Sequence, residues 1–151
     1  MKKNSLCLMN RLKIVYVCHP YSADPAGNVK LVVEWCKKLS DMGYVPLAPQ
    51  LFMAQYINEE TESEVAMEHC LALVDCCHEM WVFYPGQEEN DYTCSAGQRQ
   101  EIERAIAAWG QTARWRICHV WGSAERMTQI TRGGTVKQRP AEEMVIGHGE
   151  E

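Results

Sequence analysis

The chain has 151 residues, a formal net charge of −5 and a hydrophobic fraction of 46%. This length fits one domain whose core is large enough to fold without disulfides or a structural metal. The acidic balance argues against a nucleic-acid partner, since proteins that bind a phosphate backbone concentrate Lys and Arg. No apolar run approaches the ~20 residues of a membrane span, and the first residues lack the apolar core of a signal peptide. We therefore expect a cytoplasmic protein with neither a membrane nor a nucleic-acid partner.

Eight cysteines raise the question of a metal site. The best candidates are Cys70, Cys76, Cys77 and His78, with His69 beside them, but a helix across this segment would separate its ends by about 10 Å. Zinc needs ligands at about 2.0–2.3 Å, and the paired Cys-x-x-Cys spacing of a zinc site is missing. We predict reduced thiols, no metal and no cofactor.

Strand-like apolar runs recur along the chain. They predict strands at 12–18, 44–48, 79–84 and 115–121. Stretches with helical spacing of apolar residues lie between them, and 51–57 forms a partly helical connection. Strands that alternate with helices indicate an α/β domain with a three-layer, flavodoxin- or Rossmann-like parallel sheet of four to five strands flanked by helices.

Capping residues bound the predicted helices. Asn28 can begin the first helix and Gly43 can end it. The second runs over about 61–76. Ser95 begins the third, with Gln98 completing a capping box, and Gly110 ends it. The alternating pattern stops near residue 123, which predicts one domain over 1–123 and an extended or partly disordered tail over 124–151.

In an open parallel sheet, ligands bind beyond the carboxyl ends of the strands. The segments 18–28, 48–56 and 84–101 occupy those positions. The start of the third helix offers free amides and a positive dipole end, which suit a phosphate or a carboxylate, and Gly97 allows a ligand close to the backbone. An ordinary helix cap remains the alternative interpretation.

Three sequence motifs in this order carry a family resemblance: HPYS, GYVPLAP, and S-x-G-x-x-x-E-I-x-x-A after a strand. Over about Leu12 to Val120 the chain resembles the nucleoside 2-deoxyribosyltransferase-like superfamily, and within it the small uncharacterised members. The resemblance implies a hydrolase or transferase acting on the N-glycosidic bond of (deoxy)nucleosides or their 5′-monophosphates. It also implies a homo-oligomer.

The resemblance implies roles for particular residues. Glu101 takes the position of the catalytic nucleophile, Asp91 that of an acid, and Tyr21 that of a contact to the sugar. The implied substrate-binding set comprises His19, Ser22, Asn28, Ser95, Gly97 and Glu68. Here Glu68 would replace an aspartate that the family often places near position 70.

The acid pattern departs from that of the active enzymes, because three residues separate Gly97 from Glu101 where those enzymes have G-x-E. This leaves three interpretations open: an enzyme, a non-catalytic nucleotide-binding module, and an interaction protein that uses its tryptophans. The enzyme interpretation predicts that Glu101, Asp91 and Tyr21 converge on one pocket. In the simplest alternative, Glu101 is an exposed carboxylate paired with Arg99 or Arg104.

Overall fold

The computed structural model describes residues 12–109 and 116–124. Within them lies one four-stranded sheet in the order β2-β1-β3-β4, in which all three neighbouring pairs are parallel. The strands are β1 Ile14–Cys18, β2 Val45–Leu47, β3 Glu79–Tyr84 and β4 Arg116–Trp121. The predicted α/β class with a parallel, Rossmann-like sheet is confirmed.

Three α-helices cover the sheet: α1 Pro25–Asp41, α2 Glu59–Asp75 and α3 Ala96–Trp109. Two single 3₁₀ turns, Pro49–Leu51 and Met53–Gln55, link β2 to α2. This segment corresponds to the predicted partly helical connection. The predicted tail and Gly110 lie outside the described residues, apart from Ala124.

Alternating side chains of β1 build the two halves of the core. Val15 and Val17 pack in one cluster with Val32 and Leu39 of α1. Tyr16 and Cys18 belong to the opposite cluster, together with Val74 of α2 and Ile102 of α3. Since successive side chains of a strand point to opposite faces, this pattern defines three layers: α1, the sheet, and the α2–α3 pair.

The strand order reverses at β1. The chain steps from β1 to β2 on one side and then crosses to β3 and β4 on the other. Because crossovers in one sheet share a hand, the reversal places α1 on one face and α2 and α3 on the other. The carboxyl ends of β1 and β3 therefore form a switch point, where an open sheet leaves a crevice.

The start of α1 corrects one prediction. Asp24, not Asn28, is the N-cap residue: its Oδ1 accepts a hydrogen bond from the Gly27 amide at 3.2 Å, and Pro25 follows as the first helical residue. A Cβ at position 27 would lie 2.1 Å from Asp24 Oδ2, so glycine is what lets this carboxylate fold over the helix end. The predicted stop at Gly43 is confirmed by its φ of 91°.

Asn28 lies within the first turns of α1 and is buried. Its side-chain amide donates to the Tyr21 carbonyl at 3.2 Å. It therefore ties α1 to the loop that follows β1. Within the described ranges, no helix is both long and apolar enough to cross a membrane.

Loss of the α1 cap should lower stability measurably. Asp24→Ala leaves the Gly27 amide without its side-chain acceptor, and we expect the free energy of unfolding to fall by about 1 kcal/mol in urea denaturation. Asp41→Ala is the matched control, because it removes an exposed carboxylate from the other end of α1 and should cost about 0.5 kcal/mol or less. Equal losses in the two variants would contradict the capping role.

Candidate functional site

A cavity of about 390 Å³ opens at the β1–β3 switch point. Its walls come from four parts of the chain: the loop after β1, the 3₁₀ turns after β2, the inner face of α2 and the first two turns of α3. The predicted position of a ligand site, at the carboxyl edge of the sheet, therefore coincides with the cavity. A space of this size falls in the range of small-molecule sites.

Glu101 lies in the second turn of α3 and lines the cavity. The Tyr16 hydroxyl and the Cys18 thiol, both from β1, are hydrogen-bonding neighbours of its carboxyl group, and the thiol also lies 3.8 Å from the Gln98 carbonyl oxygen, a second acceptor for its proton. Burial raises the pKa of Glu101 to about 8, and these two hydrogen bonds act in the opposite direction. At pH 7 most molecules hold Glu101 in its neutral form, with about one tenth ionised.

A second thiol extends this group of side chains. Cys70 of α2 also lines the cavity, and its sulfur is a hydrogen-bond partner of Tyr16. Burial raises the pKa of the Cys70 thiol to about 11, and burial first, then the nearby Glu101, raises the pKa of Tyr16 far above its ordinary value. Both groups are therefore neutral at physiological pH, where the Tyr16 hydroxyl serves as a hydrogen-bond donor.

Gln98 fixes the start of α3 to the sheet. Its side-chain Nε2 donates to the Phe83 carbonyl at 2.9 Å and to the Cys18 carbonyl at 3.3 Å. Its Oε1 accepts from the Ser95 amide at 3.0 Å, and the Gln98 amide donates to Ser95 Oγ at 3.2 Å. The capping box predicted from Ser95 and Gln98 is thus confirmed, and the same glutamine also holds the ends of β1 and β3.

His19 is the first residue after β1, and only 5% of its surface is exposed. Its Nδ1 lies 2.8 Å from the Pro20 carbonyl oxygen. A carbonyl only accepts, so Nδ1 carries the proton and Nε2 holds a lone pair. Burial lowers the pKa of His19 below its ordinary value, which keeps the ring neutral.

One wall of the cavity is apolar and the rim is polar. The side chains of Met53, Ala54, Ile57, Ala66 and Met67 form the apolar wall. At the rim, Ser22 Oγ donates to Glu59 Oε1 at 3.3 Å. The lining residues thus provide both apolar surface, against which a flat group can pack, and hydrogen-bonding groups.

Six of the nine predicted site residues line this one cavity. They are Glu101, Tyr21, His19, Ser22, Ser95 and Gly97. Tyr21 belongs to the loop after β1, whereas Glu101 belongs to α3. Their roles toward a substrate stay predictions.

Asp91, Glu68 and Asn28 are not among the described residues that line the cavity. Asp91 is exposed, and its carboxylate accepts a hydrogen bond from the Thr93 amide at 3.0 Å. Hydrogen bonding to the Thr93 side chain first, and then to this amide, lowers the pKa of Asp91. Glu68 is exposed on α2, where Met67 and Cys70 face the cavity instead. The predicted convergence of Asp91 with Glu101 and Tyr21 on one pocket is therefore not seen.

The structure also answers two simpler interpretations of the sequence. Arg104 forms an ion pair with Asp75 of α2, so the expected pairing with Glu101 is wrong for this arginine. His78, considered as a metal ligand, accepts a hydrogen bond from the Ile14 amide through Nδ1 at 3.0 Å. No cluster of three or more metal-binding side chains occurs among residues 12–109 and 116–124.

Sequence reasoning missed Tyr16, Cys18 and Glu59 as polar residues of this site. It also missed that Gln98, predicted only as part of the capping box, bonds to the ends of β1 and β3. A signal for the first two was present. Alternation along β1 places Tyr16 and Cys18 on one face of the sheet, and the right-handed crossover rule places α3 on one face as well. The sequence did not reveal that the face of the sheet that carries Tyr16 and Cys18 is the face covered by α3.

The raised pKa of Glu101 should make the free energy of unfolding depend on pH. The folded protein binds this proton more tightly than the unfolded chain, whose carboxyl has its ordinary pKa of 4.5. The stabilisation is complete below pH 4.5 and is lost as the pH rises through about 8. Relative to Glu101→Gln, the wild-type free energy of unfolding should fall by about 1 kcal/mol per pH unit between these limits, measured by urea denaturation.

Glu103→Gln is the control for this experiment, because Glu103 is exposed on the same helix. Its stability relative to the wild type should not vary over that pH window. A flat difference for Glu101→Gln as well would show that Glu101 ionises normally in the folded protein.

Comparison with known proteins gives a family but no function. No curated protein matches the chain. The model of a family described as a domain of unknown function, DUF7768, matches residues 13–114, which is more than half of the chain and includes every part of the cavity wall. The protein belongs to the DUF7768 family.

Proposed function

We propose that this protein cleaves the N-glycosidic bond of (deoxy)nucleosides or their 5′-monophosphates, by hydrolysis or by transfer of the sugar to a second base, with Glu101 as the nucleophile. One observation carries the proposal: the carboxyl group of partly buried Glu101, whose pKa is raised by desolvation, lines a cavity of about 390 Å³ at the ligand-binding edge of a parallel sheet. Strongly perturbed carboxyl groups in clefts are concentrated at functional sites.

The division of the cavity walls suits a nucleoside. A base can pack against Met53, Ile57 and Met67, since flat aromatic groups favour apolar contact. The sugar hydroxyls would then face the polar side, where Tyr21 and Ser95 supply hydrogen-bonding groups. Such a pose brings the anomeric carbon toward Glu101.

The surroundings of Glu101 fit a nucleophile. A carboxylate that ionises in a poorly solvated site is more basic and more reactive than one in water. In the first step a Glu101 oxygen bonds to the anomeric carbon while the bond from that carbon to the base breaks. The base leaves with the electron pair and takes a proton from solvent. Water, or a second base, then attacks the same carbon, gives up a proton to solvent, and releases the carboxylate as the bond from that carbon to the Glu101 oxygen breaks.

The Tyr16 hydroxyl and the Cys18 thiol act on this carboxylate by hydrogen bonding. They hold the side chain in one orientation and lower the cost of ionising it. Both sit on β1, whose buried position limits their movement.

The resemblance to the nucleoside 2-deoxyribosyltransferase-like superfamily supports the same reaction, with two changes in the assignment of residues. The tyrosine that contacts Glu101 is Tyr16 within β1, whereas Tyr21 lies farther along in the following loop. The expected acid Asp91 lies outside the cavity wall, and Glu59 is the second carboxyl group that lines it.

The position of Asp91 favours a second candidate, a non-catalytic module that binds a nucleoside or nucleotide. A site with one carboxyl group at its centre retains the shape needed for binding but lacks an acid close to the departing base. This candidate shares the cavity and the contacts with the base. It differs in leaving the ligand intact.

Release of free base is the direct measurement. The wild-type protein should release base from at least one member of a panel of ribonucleosides, 2′-deoxynucleosides and their 5′-monophosphates, followed by chromatography. Glu101→Gln should lower the rate about 100-fold or more, because it removes the attacking oxygen. Glu103→Gln, an exposed change on the same helix, should retain it. A panel member that raises the melting temperature while staying intact throughout would favour the binding module instead.

The pH dependence of that rate separates two roles for Glu101. A nucleophile must be ionised, so the rate should rise about tenfold per pH unit from pH 6 and level off above about 8. Initial rates of base release across this range provide the measurement. A rate that falls as the pH passes 8 would identify Glu101 as a proton donor and refute the nucleophilic role.

A further inference from the structure

We infer that the cavity selects an uncharged nucleoside and discriminates against its 5′-monophosphate. The inference rests on the proposed function and narrows it to one substrate class. It follows from the charge of the cavity wall and from the way the start of α3 is capped.

The ionisable groups that line the cavity favour hydroxyl donors over anions. Two carboxyl groups, Glu59 and Glu101, contribute to the wall, and the described residues that line it include neither Lys nor Arg. The exposed Glu59 carboxylate would repel a phosphate dianion, and Glu101 adds negative charge in the fraction of molecules that hold it ionised. No described lining residue supplies a compensating cation. A sugar hydroxyl can instead donate a hydrogen bond to a carboxylate.

The protein's own side chains engage part of the helix start that could bind phosphate. An α-helix begins with unsatisfied amides, and these are what an anion would use. In α3 the Ser95 amide donates to Gln98 Oε1 at 3.0 Å and the Gln98 amide donates to Ser95 Oγ at 3.2 Å. The capping box thus removes two donors from the group that would cradle a phosphate.

The hydroxyl of Ser22 is engaged in a similar way. It donates to Glu59 at the rim, so its proton points to a carboxylate rather than to the cavity. An anion would also oppose the ionisation of Glu101, which the proposed attack requires. Binding and chemistry therefore both favour the neutral ligand.

Calorimetric titration tests the inference with 2′-deoxyadenosine and 2′-deoxyadenosine 5′-monophosphate as ligands. The wild-type protein and Glu101→Gln, which would not consume the ligand, are both titrated at pH 7. We expect each protein to bind the nucleoside at least about tenfold more tightly than the monophosphate. Inorganic phosphate at about tenfold excess over the ligand should leave the affinity for the nucleoside unchanged.

A pair of charge-matched variants locates the cause. Glu59→Gln removes one negative charge from the cavity wall. It should lower the ratio of the nucleoside affinity to the monophosphate affinity about threefold or more. Glu64→Gln removes the same charge from an exposed position of α2 outside the cavity wall and should leave the ratio unchanged.

The outcomes separate this inference from the function on which it rests. A monophosphate that binds as tightly as the nucleoside would overturn the inference while leaving N-glycosidic chemistry in place. Equal effects of the Glu59 and Glu64 variants would overturn the assigned cause. If neither ligand binds and no member of the panel releases base, both the proposed function and the inference are overturned.

Discussion

The Gln98 side chain joins the three elements that form the site. One amide group holds the carbonyls of Cys18 and Phe83, at the ends of β1 and β3, and its oxygen holds the Ser95 amide at the start of α3. Buried polar groups of this kind are costly when unpaired, so the helix start has little freedom to shift along the sheet. Glu101 lies three residues later, and its position beside Tyr16 and Cys18 depends on this attachment.

Much of the fold could be predicted because it is encoded locally. Strand β3 begins and ends where the apolar run Glu79–Tyr84 predicts, and the Ser95–Gln98 capping box needs only residues three apart. The error at the start of α1 is also local. Asp24 and Asn28 are both good capping residues, but Asp24 precedes a proline, and proline is favoured at the first helical position.

The site was harder to predict because it depends on contacts between distant segments. Six candidates fall on the cavity wall because the edge of the sheet brings the loop after β1 next to the start of α3. Asp91 does not, because its own turn engages its carboxylate with Thr93, a preference that a family pattern cannot reveal. The sequence places Tyr16 within a predicted strand, and only the packing of α3 against that strand shows that its hydroxyl is a neighbour of the Glu101 carboxyl group.

The distance in sequence between the cavity walls has a kinetic consequence. The hydrogen bond from Gln98 to the Cys18 carbonyl spans 80 residues, so the walls meet only when β1, β3 and α3 are all in place. A folding intermediate that lacks any of them has no cavity, and a ligand cannot recognise it. A bound ligand would therefore slow unfolding while leaving the folding rate nearly unchanged. The cavity forms only after the sheet and α3 have come together.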